Sequence, residues 1–83
     1  MEMKSLNLVI VSPEKILFRG SVSDVTLPGT RGMFMVLPKH APLLSSLERG
    51  TIRYTTSEGE QLLEITGGFV EVKKNEVSVC VEQ

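Results

Sequence analysis

The stretch GGFVEVKKNEVSVCV, residues 67–81, carries the pattern that decides the fold. Apolar residues alternate with polar ones on both sides of a polar segment at 73–76, and the last three inward positions are valines at 77, 79 and 81. A period of two is typical of strands that bury one face against a core. The stretch therefore predicts two β-strands joined by a short turn.

The same pattern recurs along the rest of the chain in short runs separated by Gly, Pro, Asn and Ser. Ten valines and four isoleucines supply β-branched side chains, which suit strands. We predict an all-β protein, a two-sheet antiparallel β-sandwich or flattened barrel of about eight to ten short strands. The runs lie at residues 6–11, 16–18, 22–27, 33–36, 51–55 and 61–66.

Glycines and prolines mark the expected breaks between these strands. Residues 28–32 contain two glycines and a proline and predict a turn with a displayed tip. Two prolines in residues 37–42 predict a rigid surface loop, because each biases the residue before it toward extended geometry. We also expect strands to end at Gly50 and at Gly67-Gly68. Only the segment after Pro42 could form a helical turn.

Length and charge exclude several classes of protein. The chain has 83 residues, with 9 Lys and Arg against 10 Asp and Glu, so its net charge is −1. The length suits one domain, and the balanced charge argues against nucleic acid as a partner. The sequence has no apolar run of 18 residues, so we expect no direct membrane insertion. A single cysteine and no secretory leader predict a reducing cytosolic compartment.

Candidate catalytic and metal-binding groups are few. Ser12, His40 and Asp24 could be assembled into a triad, but the sequence lacks the Gly-x-Ser-x-Gly motif of a nucleophile elbow. A closed zinc site needs about four ligands, whereas the chain has one His and one Cys. We therefore predict no catalytic residue, no metal site and no cofactor, and a protein that is not an enzyme.

Two features remain open on residue chemistry alone. Met33, Phe34 and Met35, beside the displayed turn, could contact a partner or pack into the core. The His40 ring could fix its own loop by bonding backbone carbonyls, or it could serve as a hydrogen-bonding group in an interface.

Three motifs occur in order over essentially the whole chain. They are LNLVIVSPE at 6–14 followed by LFRG at 17–20, then LPGTRGMFMVLPKHAPLL at 27–44, then GGFVEV at 67–72 followed by NEVSV at 75–79. Together they resemble the epsilon subunit of F-type ATP synthases. The Pro-x-His-Ala-Pro-Leu-Leu segment is the most distinctive of them.

This resemblance implies a sandwich at the foot of the central stalk, on the cytoplasmic side of a bacterial inner membrane. It would be a non-catalytic rotor component beside the gamma subunit and above the ring of c subunits. The residues implied at the gamma interface are Ser12, Pro38, His40, Ala41, Pro42, Leu43, Leu44 and Ser45. Those implied at the c-ring interface are Thr30, Arg31, Gly32 and Met33.

Two departures from the family pattern qualify this interpretation. Relatives often have an acidic residue or glycine where Met33 stands, so we expect a more apolar c-ring contact here. Many relatives continue into two helices that inhibit ATP hydrolysis, and we expect residues 1–83 to form the sandwich domain without that helical pair. The alternative function is a free-standing adaptor or ligand-binding β-domain.

Overall fold

A computed structural model describes residues 5–83, and the regular secondary structure in this range is entirely β-strand. The all-β prediction is confirmed. The strands are β1 (Leu6–Val11), β2 (Ile16–Val22), β3 (Asp24–Gly29), β4 (Gly32–Val36), β5 (Leu43–Thr56), β6 (Gly59–Lys73) and β7 (Glu76–Glu82).

The strands form one hydrogen-bonded sheet in the order β2-β1-β7-β6-β5-β3-β4. Two long strands, β5 and β6, make this sheet fold back on itself. The Gly67–Lys73 part of β6 pairs with β7, whereas residues 59–65 pair with β5 alone. Inward side chains from all seven strands join one hydrophobic cluster, so a single sheet supplies both layers of the sandwich.

The phase of each strand follows the alternation in the sequence. Val25 and Leu27 are fully buried, while Asp24 and Thr26, on either side of Val25, are partly exposed. Val77, Val79 and Val81 are likewise buried on β7. The core forms because every second residue turns the same way from the pleated backbone.

The structure corrects the expected number of strands and their pairing. Seven strands are present in residues 5–83 rather than eight to ten, because β5 and β6 continue through the expected breaks. The segment after Pro42 is the start of β5 and not a helical turn. The pairing of β1 with β7 is parallel, whereas the other five strand pairs are antiparallel as predicted.

The glycines inside the long strands permit close approach instead of ending the strands. Gly68 has φ of +149°, and a Cβ there would collide with the carbonyl oxygen of Cys80. A Cβ at Gly50 would lie 2.8 Å from the Pro28 Cβ. Each glycine therefore allows a neighbouring strand to pack tightly while the ladder of hydrogen bonds continues.

Candidate interaction surfaces

The β3–β4 hairpin displays the four residues implied at the c-ring interface. Thr30, Arg31, Gly32 and Met33 are all exposed at its tip. The turn is tighter than predicted, because Pro28 and Gly29 still belong to β3 and Gly32 already begins β4. Gly32 has φ of +123°, a conformation that suits glycine in a tight turn.

Of the three apolar residues beside this turn, Met33, Phe34 and Met35, one packs into the core and two face outward. Phe34 is partly buried and packs against the core cluster. Met33 and Met35 point the other way, with exposed fractions of 62% and 53%. The hairpin is thus anchored by one aromatic ring, and its two methionines are available to a partner.

The loop at 37–42 lies on the surface, as predicted, and is held by its own hydrogen bonds. The His40 N–H donates to the Leu37 carbonyl oxygen at 3.1 Å. The ring Nδ1 of His40 lies 2.7 Å from the Ala41 carbonyl oxygen, which can only accept, so Nδ1 is the donor. The ring therefore does fix its loop, and its second nitrogen, Nε2, takes no part in that bond.

The start of β5 carries the remaining residues of the implied gamma interface after Pro42. Leu43 is half-buried against the core, and Ser45 is half-buried as well. Leu44 points outward with 73% of its surface exposed. Pro38 is half-buried, while Ala41 and Pro42 are exposed.

The hairpin tip lies directly against the start of β5. The Thr30 N–H donates to the Ser46 carbonyl oxygen at 3.2 Å, and the two hydroxyl oxygens are 3.1 Å apart. A shallow depression is lined by residues 29–34 from the hairpin and 43–46 from β5. The structure therefore brings the implied c-ring residues together with three of the implied gamma residues.

Ser12 lies apart from the loop at 37–42. It follows β1, next to the end of β7 where Val11 pairs with Cys80, whereas the loop contacts Asn75 before the start of β7. Cys80 lies five positions after Asn75, which is about 16 Å along extended chain at the usual rise per residue. The Ser12 N–H donates to the Lys15 carbonyl oxygen at 2.9 Å and closes the β1–β2 turn.

An exposed apolar surface spans the space between Ser12 and the start of β5, and the sequence motifs did not single it out. We call it the outer apolar face. Its residues share one side of neighbouring strands because the register aligns Ser46, Phe69, Cys80 and Val11 in one row, and Leu44, Glu71, Ser78 and Val9 in the next. Phe69 is 52% exposed and borders a groove that also includes Ser12. The outer apolar face comprises the exposed Leu44 and Phe69 and the half-buried Val9, Val11 and Cys80, with the polar Ser46, Glu71 and Ser78 in the same rows.

The described residues offer surfaces suited to binding another protein. Within residues 5–83, no cluster of three or more His, Cys, Asp or Glu side chains is arranged to hold a metal ion. That part of the chain also contains no helix with the length and apolar character needed to cross a membrane. Exposed loops beside an exposed apolar face are features of a protein-binding domain.

A comparison with known protein families identifies the fold and its relatives. The model of the ATP synthase Delta/Epsilon chain beta-sandwich domain matches residues 5–83. This chain belongs to that family. The resemblance inferred from the three sequence motifs is therefore confirmed.

Individual relatives of this epsilon-family domain agree. An ATP synthase epsilon chain from Leptospira borgpetersenii is 42% identical over 77 residues, covering 93% of this chain and 61% of the relative. The epsilon chain from Chlorobaculum tepidum is 41% identical over 81 residues, covering 96% of this chain and 92% of the relative. The chain thus spans about three fifths of the first relative and nearly all of the second.

Solved structures support the same fold. A chain of the Euglena gracilis mitochondrial ATP synthase, in an assembly of OSCP, F1 and c-ring, superposes with a TM-score of 0.90 at 19% identity, covering 98% of this chain and 52% of that chain. A chain of the Tetrahymena thermophila central stalk and c-ring gives 0.79 at 18% identity, covering 99% of this chain and 66% of that chain. At these identities the likeness concerns the fold alone.

Proposed function

We propose that this protein is the epsilon-type rotor subunit of an F-type ATP synthase. It binds the gamma subunit and the c-ring, couples proton translocation to ATP synthesis, and has a structural role without catalysis. The observation that carries this proposal is the family match over residues 5–83, together with about 40% identity to epsilon chains. Its place is on the cytoplasmic side of the bacterial inner membrane, held there by its partners.

The gamma contact is assigned to the outer apolar face and the segments at its borders. Stable interfaces bury about 1,600 Å² in total, which is more than one short loop supplies. The outer apolar face extends the contact from His40 and Leu44 at one side toward Ser12 at the other. Leu44 and Phe69 are exposed, so their removal from water by a partner would lower the free energy of the complex.

The c-ring contact is assigned to the hairpin tip. Thr30 and Gly32 present backbone, Arg31 presents a cation, and Met33 presents a flexible apolar side chain. The hydrogen bonds from Thr30 to Ser46 join this tip to the strand that carries Leu44. Torque applied at one contact therefore reaches the other through a few residues of paired strand.

The sandwich itself is well suited to transmit force. Its two layers share β5 and β6, so a shear between the layers must break or bend continuous strands. A close-packed core resists such deformation. We assign residues 1–83 to one sandwich domain, which assembles with its partners and couples their motion.

Titration with purified gamma subunit tests this function. The 83-residue chain is added to gamma in a calorimeter, with a heat-unfolded sample of the same chain as the control. The expected result is a one-to-one complex at micromolar concentration or tighter. If folded chain fails to bind gamma, and gel filtration of cell lysate finds it far from any large ATPase assembly, the free-standing adaptor replaces the rotor subunit.

A further inference from the structure

Two residues with left-handed backbone, in different loops, are joined by a short hydrogen bond. Lys39 has φ of +71° and Asn75 has φ of +63°, although neither is glycine. The Lys39 N–H donates to the Asn75 side-chain oxygen Oδ1 at 2.6 Å, across 36 residues of sequence. This bond links the 37–42 loop to the β6–β7 turn.

The β6–β7 turn is a firm attachment point. Lys74 and Asn75 both have positive φ, the geometry of a two-residue type I′ hairpin turn. The Asn75 carbonyl oxygen also accepts the Asn7 N–H at 2.9 Å, which ties the turn to the beginning of β1. The Asn75 side chain is thus presented from a turn that joins β6 to β7 and is hydrogen-bonded to β1.

The 37–42 loop needs this attachment because Lys39 has a left-handed backbone conformation. A left-handed conformation is unfavourable for a residue such as lysine, so Lys39 must be held in it by its surroundings. His40 comes next, and its N–H and ring Nδ1 bond to Leu37 and Ala41 of the same loop. The direction of the His40 ring therefore depends on the backbone at Lys39.

We propose that Asn75 is a positioning residue for the 37–42 loop: its Oδ1 holds the Lys39 N–H and so sets His40 and Pro42 in the orientation offered to the partner. The identity of that partner as gamma rests on the proposed function. Asn75 itself is half-buried in the turn, so it acts through the loop.

Three variants of the full chain separate positioning from turn formation. Asn75→Gly keeps a residue that favours positive φ and removes only the acceptor, so the turn should form as before. Asn75→Asp keeps an acceptor oxygen and tolerates the same backbone. Lys74→Gly alters the neighbouring left-handed position in the same turn, where the lysine side chain is exposed, and serves as the control.

Two readouts are measured on each variant: the hydrogen exchange of the Lys39 amide by NMR, and the affinity for purified gamma. For Asn75→Gly we expect Lys39 exchange to rise and gamma affinity to fall by about three- to tenfold, the scale of one hydrogen bond. The unfolding midpoint should stay within the range of the Lys74→Gly control. Asn75→Asp should restore both readouts toward wild type.

The proposal is overturned if Asn75→Gly leaves Lys39 exchange unchanged, or if Asn75→Gly and Lys74→Gly weaken gamma binding equally. Failure of the proposed function has a different signature. If wild-type chain does not bind gamma, the rotor assignment and the binding consequence fall together, while Lys39 exchange still decides whether Asn75 holds the loop.

Discussion

The ring of Phe18 in β2 packs on the ring of Tyr54 in β5, with centroids 4.6 Å apart and planes tilted by 46°. Three strands separate β2 from β5 in the sheet order, so this pair makes contact across the sandwich and not along it. The two rings close one side of the fold. They are also the basis of two predictions about its stability.

Phe18→Ala should destabilise the fold by about 2 kcal/mol, because Phe18 is partly buried and a fully buried aromatic ring costs about 3–5 kcal/mol to truncate. Urea unfolding measures the change. Phe69→Ala is the matched control, since that ring is 52% exposed on the outer apolar face and should cost less than about 1 kcal/mol. Equal losses of unfolding free energy at both positions would contradict a stabilising contact between Phe18 and Tyr54 across the sandwich.

Alkaline pH should weaken the fold through Tyr54. Burial raises the pKa of its phenol above the ordinary value. As the pH rises, the unfolded chain then loses the phenolic proton before the folded one does. The stability that the protonated phenol contributes is therefore fully present below the ordinary tyrosine pKa, about 10, and is lost as the pH rises above it. Because Tyr54 is the only tyrosine in the sequence, the tyrosinate absorbance reports it directly.

The control for this effect is Tyr54→Phe, which removes the ionising group and keeps the ring. Its stability should fall less steeply above that pH than that of wild type. A tyrosinate titration in the folded protein at or below the ordinary pKa would rule out the burial effect.

Gly68→Ala should be strongly destabilising, by about 3 kcal/mol or more. The added methyl would collide with the Cys80 carbonyl oxygen and would also sit on a backbone with φ of +149°. Gly59→Ala provides the comparison, because Gly59 has φ of +110° but open space around its Cβ position. It should cost only the backbone strain, about 1 kcal/mol. Similar urea midpoints for the two variants would exclude the close approach at Gly68.

Gly68 also illustrates why the strand count could not be predicted. The phase of each strand follows from local alternation, which is why the inward positions Val77, Val79 and Val81 of β7 are predicted correctly. The role of Gly68 depends on Cys80, 12 residues away in sequence, and that of Gly50 depends on Pro28, so local patterns misread both as breaks. The parallel pairing of β1 with β7 joins distant segments. No hairpin turn connects the two strands, so no local sequence signal predicts that pairing.

The candidate surfaces were predictable to a similar extent. Turn chemistry was sufficient to predict the displayed turn at residues 28–32 and the surface loop at 37–42, whereas the c-ring set Thr30–Met33 came from the family resemblance. The contact between Thr30 and Ser46 and the row that includes Phe69 depend on the register of β5, β6 and β7. Register is fixed by the assembled core, so these relationships emerge only from the structure.

Leu44→Glu should weaken gamma binding by about tenfold or more, because a carboxylate would be buried without a partner in the proposed contact. Leu44 is 73% exposed in the isolated chain, so the fold itself should be unaffected. Calorimetric titration with gamma measures the loss.

Leu62→Glu is the matched control for Leu44→Glu. Leu62 is 61% exposed on β6, where it pairs with Arg53, away from the rows of the outer apolar face. Its affinity for gamma should stay within about twofold of wild type. Equal weakening by both variants would argue against the assigned face.

Restoration of coupling tests the rotor account most directly. ATP-driven proton pumping is measured in membranes whose ATP synthase has been stripped of its epsilon subunit, before and after addition of the 83-residue chain. The account predicts that wild-type chain restores pumping, that Leu62→Glu does so equally, and that Leu44→Glu needs a higher concentration. Correctly folded wild-type chain that binds neither the stripped enzyme nor its gamma subunit, and leaves pumping unrestored, would contradict the account.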